Sequence, residues 1–470
     1  MAAAPVKPRV GLLALTLEFY EQLVPELRKK RERWLRDALL PALAPIADVQ
    51  FDRAVYRRED VEATVAAYEA AGVDALLVVC LTYSPSQIAL PALGRTRLPI
   101  VVWNTQELLA VGPDFTSDLM VDNHGVHGTQ DLCSVLARCR VPFEYVTSHL
   151  SDPGALRQLA DYFAAASAVA ALRRARLGLM GYPFPGMGDF AVDTTRLAAT
   201  LGCYATALSV EDYTGRAASA SADAVEQLKA EYRSLYDVAR DLSDDDLDAT
   251  ARAELSLRAI VAEHRLDAMS YQFMAFGEDQ RTVTLPFVAA SRMMADGIGF
   301  AGEGDLIGAA GTWLLNRLQA PASFSEIFTI DFAGSGLFMS HMGEANVAMA
   351  RTDRRIPLVA RPHPITRTRG RQLALVTSFQ PGPATLCALT RGSGDRWRLV
   401  ASRMRIDDYG LLPNMPVPHF KLVSDRTDIR DWLTAYAKAG GPHHNAVCFG
   451  DATRRIRAAA ALLDADYCEV

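Results

Sequence analysis

The run Ala75-Leu76-Leu77-Val78-Val79-Cys80 is apolar at every position, and it constrains the fold more than any other stretch. A strand with one wet face alternates apolar and polar residues. A strand without alternation needs cover on both faces, the condition of a parallel sheet laid between helices. Its surroundings agree: Val10 to Leu15 and Leu98 to Trp103 read as further strands, while Tyr20 to Leu40, Val61 to Ala71 and Leu156 to Arg173 read as helices. Residues 1–172 are therefore expected to form an α/β domain. Its ligand-binding edge would lie beyond the C-terminal ends of the strands, near Thr82 to Ser86 and Asn104 to Glu107. The polar segment Asp122 to Thr129 reads as a loop ahead of a helix from Asp131 to Arg138. It carries His124 and His127, and helix capping is its plain structural role.

A second α/β domain is expected over residues 173–322. Strands at Leu177 to Met180, Tyr204 to Ser209 and Ala268 to Phe273 alternate with helices at Thr194 to Leu201, Ala222 to Ala239, Asp245 to His264 and Phe287 to Asp296. From Ser323 the pattern changes to short β-like runs punctuated by Pro, Gly and polar residues: Glu326 to Phe332, Leu337 to His341, Leu373 to Gln380, Thr385 to Leu389 and Arg396 to Met404. That spacing suggests an antiparallel sheet or small barrel over 323–470. The fold class is thus α/β, with two consecutive parallel-sheet domains and a mostly antiparallel C-terminal domain.

Composition removes some functions. Charged residues make up 22% of the chain, the formal net charge is −6, and no long basic tract occurs, which argues against nucleic acid or an anionic membrane as partner. Seven cysteines without a CxxC pair do not make a disulfide framework, and a reducing compartment fits them. No segment has the roughly 20 uninterrupted apolar residues of a membrane span. The expected location is cytoplasmic.

The best place to look for chemistry is Gly297-Ile298-Gly299-Phe300-Ala301-Gly302-Glu303-Gly304-Asp305, where glycines free the backbone to carry a carboxylate on a tight turn. Gly297, Gly299 and Gly302 match GxGxxG formally. A dinucleotide loop follows a strand, however, whereas this one follows a helical run, and Glu303 would stand where a pyrophosphate sits. Paired with Glu326, His341 and the His443-His444 pair downstream, Glu303 completes a set of two carboxylates and imidazoles that suits a divalent ion such as Mn²⁺ with positions open to substrate oxygens. Each residue also has a plainer role: Glu326 as a solvated strand residue, His341 as a hydrogen-bonded core histidine, the His pair as a loop.

At these residues the chain resembles the L-arabinose isomerase family, within the L-arabinose/L-fucose isomerase group. Gly299 to Asp305 is similar to the family's metal-site loop, Ser323-Phe324 with Glu326 to its second acidic motif, Ser340-His341-Met342 with Glu344 to its first histidine motif, and Ala439 to His444 to its second. The order of the four blocks agrees, and the division into three parts resembles the family's architecture. The resemblance implies a Mn²⁺-dependent (or other divalent cation-dependent) aldose-ketose isomerase. Glu303, Glu326, His341 and His444 would be metal ligands, with Glu303 and Glu326 also acting as acid and base through an enediol, a metal-assisted hydride shift remaining open.

It further implies a homo-oligomer, in the family a trimer-based hexamer. There a loop similar to Asn123–Gly128 enters the neighbouring subunit's site, giving His124 and His127 a substrate-binding role. The chain also departs from the family. His124 replaces a glutamine, and Leu15-Thr16-Leu17-Glu18-Phe19-Tyr20 replaces Gly-Ser-Gln-His-Leu-Tyr. The tail after Glu326 becomes Ile327-Phe328-Thr329-Ile330-Asp331. With these departures the sugar need not be L-arabinose. Epimerisation or another enediol reaction, and sugar binding without catalysis, stand as the alternatives.

Overall fold

The structure is a computed structural model that describes residues 7–24 and 26–470. The chain divides into two compact units, one up to Ala170 and one from Ala171 to Val470. The first is built on a five-stranded sheet, all of whose pairings are parallel. Its strands lie in the order Asp48–Gln50, Arg9–Leu15, Ala75–Cys80, Ile100–Asn104, Glu144–Thr147. Ala75–Cys80 is buried along its whole length at the centre, as its unbroken apolarity demands.

Two expectations here need correction. The predicted helix from Tyr20 to Leu40 is broken: helices run from Glu18–Leu23 and Glu26–Trp34, then a π-helical turn Leu35–Leu39 and Leu40–Leu43 follow. The first break falls beside Pro25 in the sequence, whose ring and missing N–H do not carry a helix through. The expected loop before Asp131 is largely helix, since one helix spans Gly125–Arg138 with His124 at its N-cap. Its glycines pack rather than loop: a Cβ on Gly125 would lie 2.2 Å from the Cys80 carbonyl oxygen, and one on Gly128 3.1 Å from Cys80 Sγ.

The second unit holds three sheets, two large ones of different character and a small one of Leu373–Leu375, Pro357–Ala360 and Asp237–Val238. Strands Gly299–Ala301, Ala268–Tyr271, Arg176–Met180 and Tyr204–Leu208, in that order, pair in parallel. Beyond them, Gly382–Arg391, His444–Phe449, Ala322–Asp331, Gly336–Ser340, His419–Val423 and Trp397–Ile406 pair antiparallel in sequence around a ring, which the pairing of Gly382–Arg391 with Trp397–Ile406 closes into a barrel. Asp466–Glu469 adds to it in parallel. The helix Leu306–Leu318 packs against both large sheets, and burial of its Leu306, Leu314, Leu315 and Leu318 contributes roughly 1.5–3 kcal/mol per side chain.

Ala222–Leu235 ends four residues earlier than expected, because Asp237–Val238 pairs in parallel with Pro357–Leu358. Helices Val210–Ser219 and Ile429–Lys438 and the strand His419–Val423 were not anticipated by the sequence pattern. Among the described residues no helix is long and apolar enough to cross a membrane, and all seven cysteines are free thiols.

Candidate metal centre

The glycine-rich segment passes from strand to helix, which corrects the expectation of a purely helical approach. Gly299–Ala301 is a strand, Gly302 to Gly304 turn, and Asp305 caps the helix Leu306–Leu318. Glu303 sits at φ +62°, in the left-handed region that costs a non-glycine residue about 1–2 kcal/mol, and Gly304 follows at +78°. The turn is held from behind, where the Glu303 carbonyl accepts from Phe184 N at 2.9 Å and Gln272 Nε2 at 3.4 Å. Glycine is required on both sides of Glu303. A Cβ on Gly302 would stand 2.5 Å from His341 Cε1, and one on Gly304 2.3 Å from the Tyr182 carbonyl oxygen.

Barrel register supplies the other members. Glu326 on Ala322–Asp331 lies directly opposite His444 on one side and Ser340 on the other, and His341 follows Ser340. Ligand atoms of Glu326, His341 and His444 all fall within 4.8 Å of one another, as do those of Glu303, His443 and His444. Glu303 Oε2 is 3.5 Å from His444 Nε2, without hydrogen-bond geometry. The four residues singled out from the sequence as ligands are thus brought to one place.

Two further carboxylates orient the imidazoles. Asp305 is 1% exposed and uses both oxygens: Oδ1 accepts from Gly308 N at 2.7 Å as the helix cap, and Oδ2 lies 3.0 Å from His444 Nδ1. Glu344, equally buried, places Oε2 2.6 Å from His341 Nδ1 and accepts a short hydrogen bond from the Tyr271 hydroxyl. With Nδ1 of each ring committed to a carboxylate, Nε2 is the atom turned to the site. Both Nε2 atoms and Glu303 Oε2 are buried and without a hydrogen-bond partner.

Aromatic rings fix the same imidazoles. Phe190 stacks on His444 at 5.2 Å and an interplanar angle of 2°, and Phe324 meets His341 and His444 edge-on at 4.8 and 4.9 Å. His443 is held by Asp189 through Nδ1 at 2.5 Å. Of this supporting shell, Asp305 had a sequence signal as an acidic residue at a helix start. Asp189, Phe190 and the roles of Glu344 and Tyr271 had none.

Charges here are mutually adjusted. Burial pushes the Glu303 carboxyl up, but the imidazoles of His444, His341 and His443 outweigh it and hold the group below its ordinary range. Burial pushes His444 down, while the carboxylates of Asp305 and Glu303 more than reverse this and raise it to about 10. Carboxylate oxygens converging on buried imidazole nitrogens that have no hydrogen-bond partner are the donor set of a divalent cation, which would take the place of the His444 proton, so these residues fit one.

His124 and His127 belong to the first unit and pair with each other, ring centroids 4.4 Å apart and a short hydrogen bond linking His124 Nε2 and His127 Nδ1. The Tyr20 hydroxyl stands 3.3 Å from His124 Nδ1, and burial and the His127 charge lower the His124 pKa.

Comparison with known proteins agrees with the fold segment by segment. Models of the N-terminal, central and C-terminal domains of L-arabinose isomerase match residues 30–174, 187–319 and 321–466. The L-arabinose isomerase of Acidothermus cellulolyticus is 29% identical over 410 residues, 83% of this chain and 79% of the relative. That of Geobacillus kaustophilus is 27% identical over 456 residues, 94% of this chain and 88% of the relative.

Proposed function

Because this chain belongs to the L-arabinose isomerase family, whose members are aldose-ketose isomerases, we propose that it interconverts an unphosphorylated aldose and its ketose at the Glu303, Glu326, His341 and His444 centre, with Mn²⁺ or another divalent cation held there. The observation that carries this reading is the pair of buried, partnerless Nε2 atoms facing two carboxylates. When bound, the cation supplies Lewis-acid polarisation of the sugar's carbonyl and adjacent hydroxyl, which acidifies the C–H between them.

The chain's own groups do the rest. Asp305 and Glu344 hold the imidazoles in the tautomer that presents Nε2. One of Glu303 and Glu326 takes the proton from the substrate carbon, and the other serves the oxygens, so that an enediol forms and collapses to the isomer. The strained turn at Glu303 fixes that carboxylate's direction before substrate arrives. Positioned acid–base groups contribute typically 10²–10⁴-fold each.

His124 and His127 are assigned to substrate binding, in a cytoplasmic homo-oligomer whose chains divide into 1–172, 173–322 and 323–470. The sugar need not be L-arabinose, because Leu17 and His124 stand where the family has glutamine and Glu18 adds a carboxylate beside Leu17. The test is Glu303→Gln: ketose formation should fall by at least 10²-fold with the circular dichroism spectrum unchanged. Retained turnover removes Glu303 from the mechanism, and an epimer in place of a ketose by NMR in D₂O removes isomerisation.

A further inference from the structure

We propose that a cavity walled by helices Val210–Ser219 and Asp244–His264 and by the segments around Thr282 and Arg369 binds a small organic monocarboxylate with an apolar body. The cavity has an internal volume of about 80 Å³ and opens to solvent, which limits an occupant to a small molecule. Much of its wall is hydrocarbon, from Ala217, Ala249, Ala253 and Val283. Ala249 and Ala253 are four apart, on one face of their helix. Where two helices face each other, interiors ordinarily close-pack with large side chains, so alanines on both sides leave space that nothing in the fold fills. A sugar, with a hydroxyl on nearly every carbon, would find few partners along such a wall.

Two polar groups define what the space would hold. Thr282 lines the cavity, is 1% exposed, and its Oγ1 has no hydrogen-bond partner. A buried hydroxyl left unpaired is costly, and an acceptor on a bound molecule would remove that cost. The second group is the Arg369 guanidinium. Three arginines line the cavity, and two are already neutralised: Arg252 by Asp248 at 2.6 Å, Arg281 by Asp279 at 2.7 Å and Glu211 at 3.2 Å. The Arg369 guanidinium donates only to the Arg281 carbonyl oxygen, at 3.1 Å, and meets no carboxylate among the described residues. One uncompensated guanidinium beside an apolar space with a free hydroxyl selects one anionic group on a hydrocarbon body.

An occupant would touch Tyr213, which begins a line of ring contacts. Tyr213 meets Phe276 edge-on at 5.0 Å, Phe276 meets Tyr271 at 5.5 Å, and the Tyr271 hydroxyl bonds Glu344, the partner of His341. The cavity is therefore in packing continuity with the candidate metal centre, although binding to it requires no reading of that centre.

The test is binding of benzoate and isobutyrate to the full-length protein, by titration calorimetry and ligand-observed NMR, with benzamide and isobutyramide as uncharged controls. Both acids should bind saturably and the amides about tenfold more weakly. Arg369→Gln, at an exposed position, should weaken the acids about tenfold, and Ala217→Phe should abolish saturable binding by filling the space. Absence of saturable binding by either acid at millimolar concentration overturns the proposal. Amides that bind as well as acids, or acid affinities unmoved by Arg369→Gln or by Ala217→Phe, overturn it equally.

Discussion

Replacing Asp305 with Asn separates helix capping from imidazole orientation, because this side chain performs both with different oxygens. Asn caps helices about as well as Asp. If its Oδ1 keeps the Gly308 N–H, its NH₂ takes the place of Oδ2 and faces His444 Nδ1 with a donor. The ring must then accept at Nδ1, which puts its hydrogen on Nε2, the atom needed by a cation. Loss of such an outer partner typically lowers metal affinity 10–100-fold, or about 1.4–2.7 kcal/mol. The metal-free protein should lose about 1–3 kcal/mol as well, since a buried charge-assisted hydrogen bond disappears. Competition against a chelator measures the first quantity and urea unfolding the second. Mn²⁺ affinity within threefold of wild type would refute the argument that Asp305 sets the His444 tautomer.

Two further outcomes follow from the same geometry. Gly304→Ala must place a Cβ 2.3 Å from the Tyr182 carbonyl oxygen at φ +78°, so urea unfolding should show a loss of at least ~1–3 kcal/mol together with reduced metal content, whereas a variant as stable as wild type would show that the turn relaxes freely. Metal affinity should depend on pH through His444, whose pKa is raised to about 10 from an ordinary value near ~6.5. A raised pKa means that the His444 ion pair stabilises the metal-free fold fully below about pH 6.5 and is lost as pH rises through about 10. A cation must displace that proton, so affinity measured by chelator competition should climb about tenfold per pH unit from ~7 toward 10. A flat profile would contradict protonation at this ring.

Much of this was legible in the residues themselves, where one physical cause dominates. Ala75–Cys80 is a strand because nothing in it tolerates water, and Leu306–Leu318 is a helix because Asp305 caps a run of apolar and small residues. The ligand set was legible as residue types in order, but its assembly depends on cross-strand register, Glu326 opposite His444, which no local pattern states. Glycine misled twice. At Gly125 and Gly128 it serves close packing of a helix on Cys80 rather than a loop, and at Gly299 it hides a three-residue strand beneath the same glycine run that announces Glu303. The helix Ile429–Lys438 did carry a readable signal, Ile429, Trp432 and Tyr436 at i, i+3 and i+7 behind the Asp428 cap, whereas the strand His419–Val423 did not, because its polar His419 and Lys421 are buried along with its apolar residues.

Turnover is proposed to depend on a cation held by Glu303, Glu326, His341 and His444. The most direct measurement strips the protein with a chelator, removes the chelator, and follows ketose formation from a panel of aldopentoses, aldohexoses and deoxysugars before and after Mn²⁺ is restored. The stripped protein should form no ketose and should recover on addition of Mn²⁺, with the sugar that responds named by the same assay. Ketose formed equally fast by the stripped protein and by the Mn²⁺-restored protein would contradict that dependence.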